Sequence, residues 1–396
     1  MAKSEIIMEK AERLKKLPTY VFAKLDELKA RERRKGVDLI DLGMGNPNIF
    51  PPQDVIDEVI EALKDPETHR YPSFPGTHDL RVAIANWCKR EYGFKVDPDL
   101  ETIVLIGSKE GLIHFAFAFI NPGDTTLVPM PAYPAHFNGT ILAGGTPISL
   151  PATESNGYMP DLDDINPDVA KKAKMLILSY PTNPTTAFAT KEYFKKAVAF
   201  AKKYKLILLH DFAYAELYFE GNKPISMLEI PEAKDVCIEF HTCSKTFGMA
   251  GWRVGFAVGN RELIGALRQI KTNLDYGLFM GAQKAAAKAL AHEDEYMEKM
   301  RKTYKERRDI LVDGLNSLGW KIEKPKGTMY VWAPVPKGYN CAEFSTLLLE
   351  KTGVVVAPGT AFGDEGEGYV RIALVDTKER IIEAVERLKK ANIRFA

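Results

Sequence analysis

The segment 241–260, HTCSKTFGMAGWRVGFAVGN, carries residue types that suit covalent chemistry and anion binding. Lys245 stands among small hydroxyl residues, and Arg253 follows eight positions later at the start of an apolar run. The stretch 235–241 alternates like a strand, so we predict that Lys245 lies in a connection at a strand end, where loops present reactive groups. A lysine amine can attack a carbonyl carbon. Taken alone, however, a lysine in such a connection is more often a solvent-exposed surface charge.

Two other predicted strands end in polar groups. Asp211 closes the strand 206–210, and Tyr214 follows three residues later. A carboxylate in this position either caps a helix or meets a cationic ligand atom. Asn183 precedes Pro184 in a run that is equally typical of an ordinary turn. Each group therefore has a structural explanation as well as a functional one.

Anion-binding groups occur at strand ends as well. The residues 107–110, GSKE, lead from a predicted strand into a helix, whose free N–H groups and dipole favour an anion. Arg253 and Arg371 each adjoin an apolar strand, where a surface arginine is the ordinary explanation for either one alone. The coincidence of a lysine, a carboxylate, an amide and two arginines at strand ends predicts a single ligand site.

The elements that position these groups follow a repeated order. Between residues 103 and 258, predicted strands alternate with helical stretches such as 191–203. This order predicts an α/β fold with a mostly parallel sheet that has helices on both faces, and a ligand beyond the carboxyl ends of its strands. The seven predicted strands are 103–106, 126–128, 146–150, 175–179, 206–209, 236–240 and 254–258.

The pattern changes after residue 262. One long helical tract is predicted to about residue 318, followed by strands at 329–335, 354–356 and 369–375 with helices at 341–351 and 378–392. This arrangement predicts a smaller α+β domain. We expect an N-terminal segment that joins the small domain (1–50), a large ligand-binding domain (51–285) and the C-terminal small domain (286–396).

Composition excludes several classes of function. The 396 residues include 54 basic and 53 acidic side chains, so no global charge recruits nucleic acid or an anionic membrane. The spacing of the four cysteines is typical neither of a metal site nor of a set of disulfide bonds. Apolar runs are too short to cross a bilayer, and no signal-type segment is evident. We expect a cytoplasmic protein with a small-molecule ligand and no metal.

The motifs together resemble the fold-type I pyridoxal-phosphate-dependent aminotransferases of class I/II. The resemblance implies a seven-stranded, mostly parallel central sheet with a smaller α+β domain, and ping-pong transfer of an amino group between an L-amino acid and a 2-oxo acid. The matching motifs are DLGMGNP (41–47), YPSFPGTHDLR (71–81), GSKEGL (107–112), PAYP (131–134), YPTNPT (180–185), HDFAYAEL (210–217), SKTFGMAGWRVGF (244–256) and YVRIAL (369–374).

The resemblance implies catalytic roles. Lys245 would hold the cofactor, pyridoxal 5'-phosphate, and carry the proton during transfer. Asp211 would pair with the protonated pyridine nitrogen, and Tyr214 and Asn183 would hydrogen-bond the ring oxygen O3'. Arg371 would bind the substrate carboxylate with its two-pronged guanidinium. We also expect the peptide bond before Pro184 to be cis, as in relatives.

Further roles concern the phosphate, the ring face and the substrate. Tyr133 would stack on the ring, and Gly45 would offer backbone to the substrate carboxylate. Tyr71 would reach the phosphate of the neighbouring subunit, which implies a homodimer. Tyr20 would line the substrate pocket, with core packing as the alternative. The expected phosphate ligands are Ser108, Lys109, Thr242, Ser244 and Arg253.

Within the family, the motifs resemble bacterial alanine (glutamate–pyruvate) transaminases and, next to them, LL-diaminopimelate aminotransferases. The latter usually read GDP where this chain has GNP at 45–47, so we hypothesise that L-alanine reacts with 2-oxoglutarate. LL-diaminopimelate and aspartate are the alternatives. Segment 271–281, from which dicarboxylate-specialised relatives draw a partner-subunit arginine, has no arginine. A non-catalytic regulatory module that binds the same cofactor, and another reaction such as β-elimination or decarboxylation, also remain open.

Overall fold

The computed structural model describes residues 8–18, 21–292, 294–393 and 395, without the side chains of 21–24 and 294. Tyr20, which we expected in the substrate pocket, lies outside the described residues. Among the helices that are described, none is long and apolar enough to cross a membrane.

Twelve strands are found in the described part of the chain. Each of the seven strands predicted between residues 103 and 258 overlaps one of β2 to β8, since their apolar runs are long enough to be recognised and are bounded by turn residues. The strands are β1 (Ile40–Asp41), β2 (Thr102–Leu105), β3 (Thr125–Met130), β4 (Thr146–Pro151), β5 (Ala173–Leu178), β6 (Ile207–Asp211), β7 (Cys237–Thr242), β8 (Gly255–Gly259), β9 (Tyr330–Pro334), β10 (Val354–Val355), β11 (Ala357–Pro358) and β12 (Tyr369–Ala373).

The central sheet has the strand order β2-β8-β7-β6-β5-β3-β4. The neighbouring pairs from β7 to β4 are parallel, whereas β8 runs antiparallel to both β7 and β2. Strands such as β5 and β7 are almost wholly buried, as expected for a sheet covered on both faces. The predicted seven-stranded, mostly parallel sheet is confirmed.

Helices cover both faces of this sheet. One buried cluster includes Trp87 of α4 and Phe194 of α8, and a second includes Phe115 of α5 and Leu267 of α10. The helices are α1 (Glu12–Lys15), α2 (Val21–Arg34), α3 (Gln53–Ala62), α4 (His78–Tyr92), α5 (Ser108–Phe119), α6 (Pro134–Leu142), α7 (Pro167–Lys172), α8 (Lys191–Tyr204), α9 (Cys243–Thr246), α10 (Arg261–Leu274), α11 (Met280–Ala291), α12 (Asp294–Ser317), α13 (Cys341–Thr352) and α14 (Lys378–Lys390).

The single helical tract predicted to about residue 318 is wrong in one respect. The tract consists of three helices, α10, α11 and α12, and the first break spans 275–279. Gly277 has φ +87° there, and its N–H donates to Asp275 Oδ1 at 2.6 Å. An aspartate that accepts from the backbone two residues later favours a turn over a helix.

A second unit is built around the antiparallel sheet β11-β12-β9. Strand β1 pairs in parallel with β10, through Ile40 and Val354, so the N-terminal segment joins this unit. Helix α11 packs against α3 and α4, whereas α12 packs against α14 and β9. We therefore propose that the boundary between the two domains lies after α11 and not at residue 285.

Candidate active site

A cavity of about 460 Å³ lies at the carboxyl ends of the central strands. Tyr71 is 81% exposed and does not line it. Twelve of the fourteen site residues predicted from the sequence do line it, and they are Gly45, Ser108, Lys109, Tyr133, Asn183, Asp211, Tyr214, Thr242, Ser244, Lys245, Arg253 and Arg371.

Lys245 lies in the short helix α9, directly after β7, and its side chain enters the cavity. Its Nζ donates to the carbonyl oxygen of Gly45 at 3.0 Å. Burial lowers the pKa of this amine, and the positive charges of Arg371 and Arg253 lower it further. A larger fraction is therefore neutral and able to attack a carbonyl carbon. This environment excludes the alternative of a solvated surface charge.

Asp211 ends β6 and is 4% exposed. Its Oδ2 is 2.8 Å from Nε2 of His136, a residue of α6. Its Oδ1 is buried and has no hydrogen-bond partner among the described residues. The residues that follow form turns instead of a helix, so helix capping does not explain the carboxylate. One acceptor at the cavity wall is thus left for a cationic N–H group of a ligand.

Arg371 lies in β12, and its guanidinium contacts two hydrogen-bond acceptors and two aromatic rings. Nη1 donates to Asn183 Oδ1 at 2.8 Å, and Nη2 donates to Gly43 O at 2.9 Å. The guanidinium carbon lies 4.1 Å from the ring centre of Tyr330 and 4.5 Å from that of Phe362. Nε is buried and unpaired within the described part of the chain. The orientation is therefore set while N–H groups stay available for a carboxylate.

The start of α5 forms an anion-binding corner. Gly107 caps this twelve-residue helix with φ +78°, and a Cβ there would lie 2.5 Å from Nη2 of Arg253. The hydroxyl of Thr242 accepts from the N–H of Ser244 at 3.2 Å on the facing loop. Unpaired N–H groups at a helix start beside a guanidinium suit a phosphate. Lys109 is exposed at the cavity mouth, with Nζ 5.9 Å from the ring centre of Tyr133.

Sequence reasoning missed His136, Tyr330 and Phe362, whose side chains contact predicted site residues. His136 contacts Asp211, and Tyr330 and Phe362 enclose Arg371. A histidine three residues after Tyr133 in PAYPAH was the available signal for the first. Tyr330 and Phe362 stand in apolar stretches where an aromatic residue is ordinary core. The peptide bond between Asn183 and Pro184 is cis, as expected.

These groups fit one kind of ligand. The Lys245 amine, whose pKa is lowered, suits an aldehyde. The Asp211 oxygen without a partner among the described residues suits a protonated ring nitrogen, and the helix start suits a phosphate. Pyridoxal phosphate carries all three groups, so the residues present fit the cofactor expected from the sequence.

Comparison with known proteins also indicates an aminotransferase, and the similarity extends over almost the whole chain. Residues 37–388 match the family described as aminotransferase class I and II. The chain is 49% identical to an LL-diaminopimelate aminotransferase of Halothermothrix orenii, over 98% of this chain and 100% of that protein. It is 48% identical to the LL-diaminopimelate aminotransferase of Aquifex aeolicus, with the same coverage.

The fold also matches solved structures. The substrate-bound BacF structure from Bacillus subtilis is 41% identical and superimposes with a TM-score of 0.95, over 98% of this chain and 99% of that one. Enzymes of the matching family depend on pyridoxal phosphate, and the cavity described above has the groups to bind it. The chain belongs to the class I and II aminotransferases and is a pyridoxal-phosphate-dependent transaminase.

Proposed function

We propose that the twelve lining residues act in the roles that the family resemblance implies. The bound cofactor supplies an electron sink for the substrate Cα. Lys245 Nζ holds the cofactor aldehyde and moves the proton at the substrate Cα. Asp211 Oδ1, which has no hydrogen-bond partner in the described part of the chain, holds the proton on the ring nitrogen. Asn183 accepts from Arg371 through its oxygen, which leaves its NH₂ group to donate to the ring oxygen beside Tyr214.

We propose LL-diaminopimelate as the amino donor, with 2-oxoglutarate as the acceptor, in a ping-pong reaction. The observation that carries this proposal is the full-length identity of 46–49% to LL-diaminopimelate aminotransferases from several bacteria. Our expectation of L-alanine rested on short motifs, chiefly GNP at 45–47. Neither of the two curated relatives named above is an alanine transaminase, and identity over the whole chain outweighs a three-residue motif.

A panel of amino donors tests this assignment. Steady-state kcat/KM is measured for LL-diaminopimelate, L-alanine and L-aspartate with 2-oxoglutarate. We expect LL-diaminopimelate to exceed the other two by at least about 10²-fold, because an enzyme selective for this donor hydrogen-bonds its distal amino acid, which alanine and aspartate lack. Faster turnover of alanine would restore the alanine assignment, and release of ammonia without a 2-oxo acid would indicate elimination.

Lys245→Ala is the control for the panel. It should lose turnover with every donor, together with the visible absorbance of the bound cofactor, because alanine has no amine to bond the cofactor aldehyde or to move the proton. Turnover that survives in this variant would reject the assigned role of Lys245 whatever the donor.

We further propose a homodimer in which Tyr71 acts on the neighbouring subunit's site. Tyr71 is 81% exposed and does not line its own cavity. Its ring centre lies 4.7 Å from that of Tyr276, which is 58% exposed and also packs on Phe74. Two exposed aromatic rings in contact, like those of Tyr71 and Tyr276, are typical of an interface with another chain.

Hybrid dimers test this arrangement directly. Lys245→Ala and Tyr71→Ala subunits, each inactive or weak alone, are co-expressed with different tags and purified as heterodimers. If Tyr71 acts across the interface, the hybrid contains one site with both native residues and recovers about half of the wild-type activity. If Tyr71 acts within its own chain, no site is intact and the hybrid is no more active than the Tyr71→Ala protein. A monomer in sedimentation would also reject the proposal.

A further inference from the structure

Tyr330 is the first residue of β9 and is 2% exposed. It lines the cavity and contacts three groups that the proposed function uses. These are the carboxylate-binding arginine, the phenol of Tyr214 and the backbone at Gly45.

The ring of Tyr330 faces Arg371. The guanidinium carbon lies 4.1 Å from its ring centre, with Phe362 at 4.5 Å as a second aromatic neighbour. A cation this close to an aromatic ring and removed from water is attracted to the ring. Since Arg371 makes only two hydrogen bonds to the described part of the protein, the rings contribute to holding the plane of its guanidinium.

The hydroxyl of Tyr330 points the other way. Tyr214 donates to it at 3.1 Å. A Cβ on Gly45 would lie 2.0 Å from the Tyr330 oxygen, and the carbonyl of the same glycine accepts from Lys245. The phenol of Tyr330 therefore lies between Tyr214 and the backbone that holds the lysine amine.

We propose that Tyr330 is a positioning residue with two separable actions: its ring orients Arg371 for the substrate carboxylate, and its hydroxyl accepts from Tyr214 beside Lys245. This inference rests on the proposed function of Arg371, Tyr214 and Lys245.

The electrostatics of the cavity agree with an accepting role. Burial alone would raise the pKa of the Tyr330 hydroxyl, but the positive charges of Arg371 and Lys245 and the hydrogen bond from Tyr214 lower it. Burial and the two arginines lower the pKa of the Lys245 amine, whereas Tyr330 raises it and so favours the protonated form of that nitrogen. Removing the hydroxyl should therefore make that nitrogen easier to deprotonate.

The ring and the hydroxyl are tested with two variants and two unreactive acids. Propionate and pimelate have the carbon frames of alanine and of diaminopimelate without their amino groups, so binding reports the carboxylate contact whichever donor is used. For Tyr330→Phe the Kd of each acid that binds should stay within about twofold. For Tyr330→Leu the Kd should rise about tenfold, because the ring over Arg371 is lost.

The hydroxyl has its own readout, the pH dependence of the visible absorbance of the bound cofactor. In Tyr330→Phe the midpoint should move to lower pH by about half a pH unit or more, without a change in acid binding. Tyr193 offers the matched control, because it is a buried tyrosine that packs on Tyr180 and Phe194 and does not line the cavity. Tyr193→Phe and Tyr193→Leu should leave both readouts as in the wild type.

Two results would overturn the inference. One is an unchanged Kd in a folded Tyr330→Leu protein, and the other is an absorbance–pH curve of Tyr330→Phe that superimposes on that of the wild type. Arg371→Lys separates this failure from failure of the proposed function. If Arg371→Lys weakens acid binding and Tyr330→Leu does not, only the role of Tyr330 is wrong. If neither variant weakens it, Arg371 itself is misassigned. Should Tyr330→Leu not fold, the Phe variant still decides on the hydroxyl.

Discussion

Two buried carboxylates on neighbouring strands differ in how many donors reach them. Asp211 on β6 is 4% exposed, and Glu239 on β7 is fully buried. One oxygen of Asp211 meets His136, and the other has no partner among the described residues. Glu239 lies one register position away, because His210, which precedes Asp211, is its Cα partner.

Both oxygens of Glu239 are in use. Each accepts two hydrogen bonds, so the carboxylate is satisfied by the protein alone, as a buried charge in a core must be. The four donors are His210 Nδ1 at 2.8 Å, the N–H of Met227 at 2.8 Å, Ser226 Oγ at 2.7 Å and His241 Nε2 at 2.9 Å.

The contrast separates a structural charge from a functional one. The protein satisfies both oxygens of Glu239 without a ligand. One oxygen of Asp211 at the cavity wall has no donor among the described residues, and a buried acceptor without a donor is energetically costly. The difference predicts that loss of charge at Glu239 affects folding and that loss of charge at Asp211 affects chemistry.

The largest effect is expected for Asp211→Asn. The amide keeps the shape of the side chain and can still meet His136, but it cannot hold a proton on the ring nitrogen by charge. We expect kcat/KM to fall about 10³-fold, while the urea midpoint changes little. Steady-state kinetics with saturating cofactor and a denaturation curve measure the two quantities. A variant that unfolds easily but turns over normally would reverse the comparison.

Glu239→Gln should show the opposite pattern. A glutamine turns an NH₂ group towards two of the donors, so hydrogen-bonding groups in the core lose their acceptor. The expected cost is about 3 kcal/mol in free energy of unfolding, with kcat per folded molecule close to wild type at 25 °C. Urea denaturation and kinetics on the same preparation check this. A large loss of kcat in a fully stable protein would show that Glu239 serves the reaction.

The sequence predicted one member of this pair and not the other. Asp211 was predicted because it ends an apolar strand, and carboxyl ends of parallel strands meet at one edge. Glu239 stands within the predicted strand 236–240, where a single acid in an alternating pattern resembles an outward-facing residue. Its donors come from three separate segments, and only the folded chain brings Ser226 and His210 to it.

The same limit explains the other differences between sequence and structure. Strands β2 to β8 were predictable because each is a local apolar run. The break at 275–279 was missed because helical spacing continues on both sides of Gly277. Tyr330 was missed because its importance arises from contacts with Arg371 and Tyr214, which are distant in sequence.

The smallest predicted effect is the pH dependence of the stability that the charge of Glu239 contributes. Burial alone would raise the pKa of Glu239, but hydrogen bonds and charge from His210 and His241 hold it well below its ordinary value of 4.5. Because the folded-state pKa is depressed, the stabilisation is complete above about pH 4.5 and is lost as the pH falls below it, where the unfolded chain binds a proton that the folded chain does not.

The difference in free energy of unfolding between the wild type and Glu239→Gln should therefore be largest near neutral pH. It should shrink by about 1 kcal/mol by pH 4 and by a further ~1.4 kcal/mol for each pH unit below that. Urea denaturation of both proteins at a series of pH values, with saturating cofactor, measures this difference and cancels the titration of all other groups to first order. If this difference in free energy of unfolding stayed constant or increased in acid, Glu239 would not be held as a charged group. Asp211 and Glu239 would then differ only in the number of hydrogen bonds that they accept.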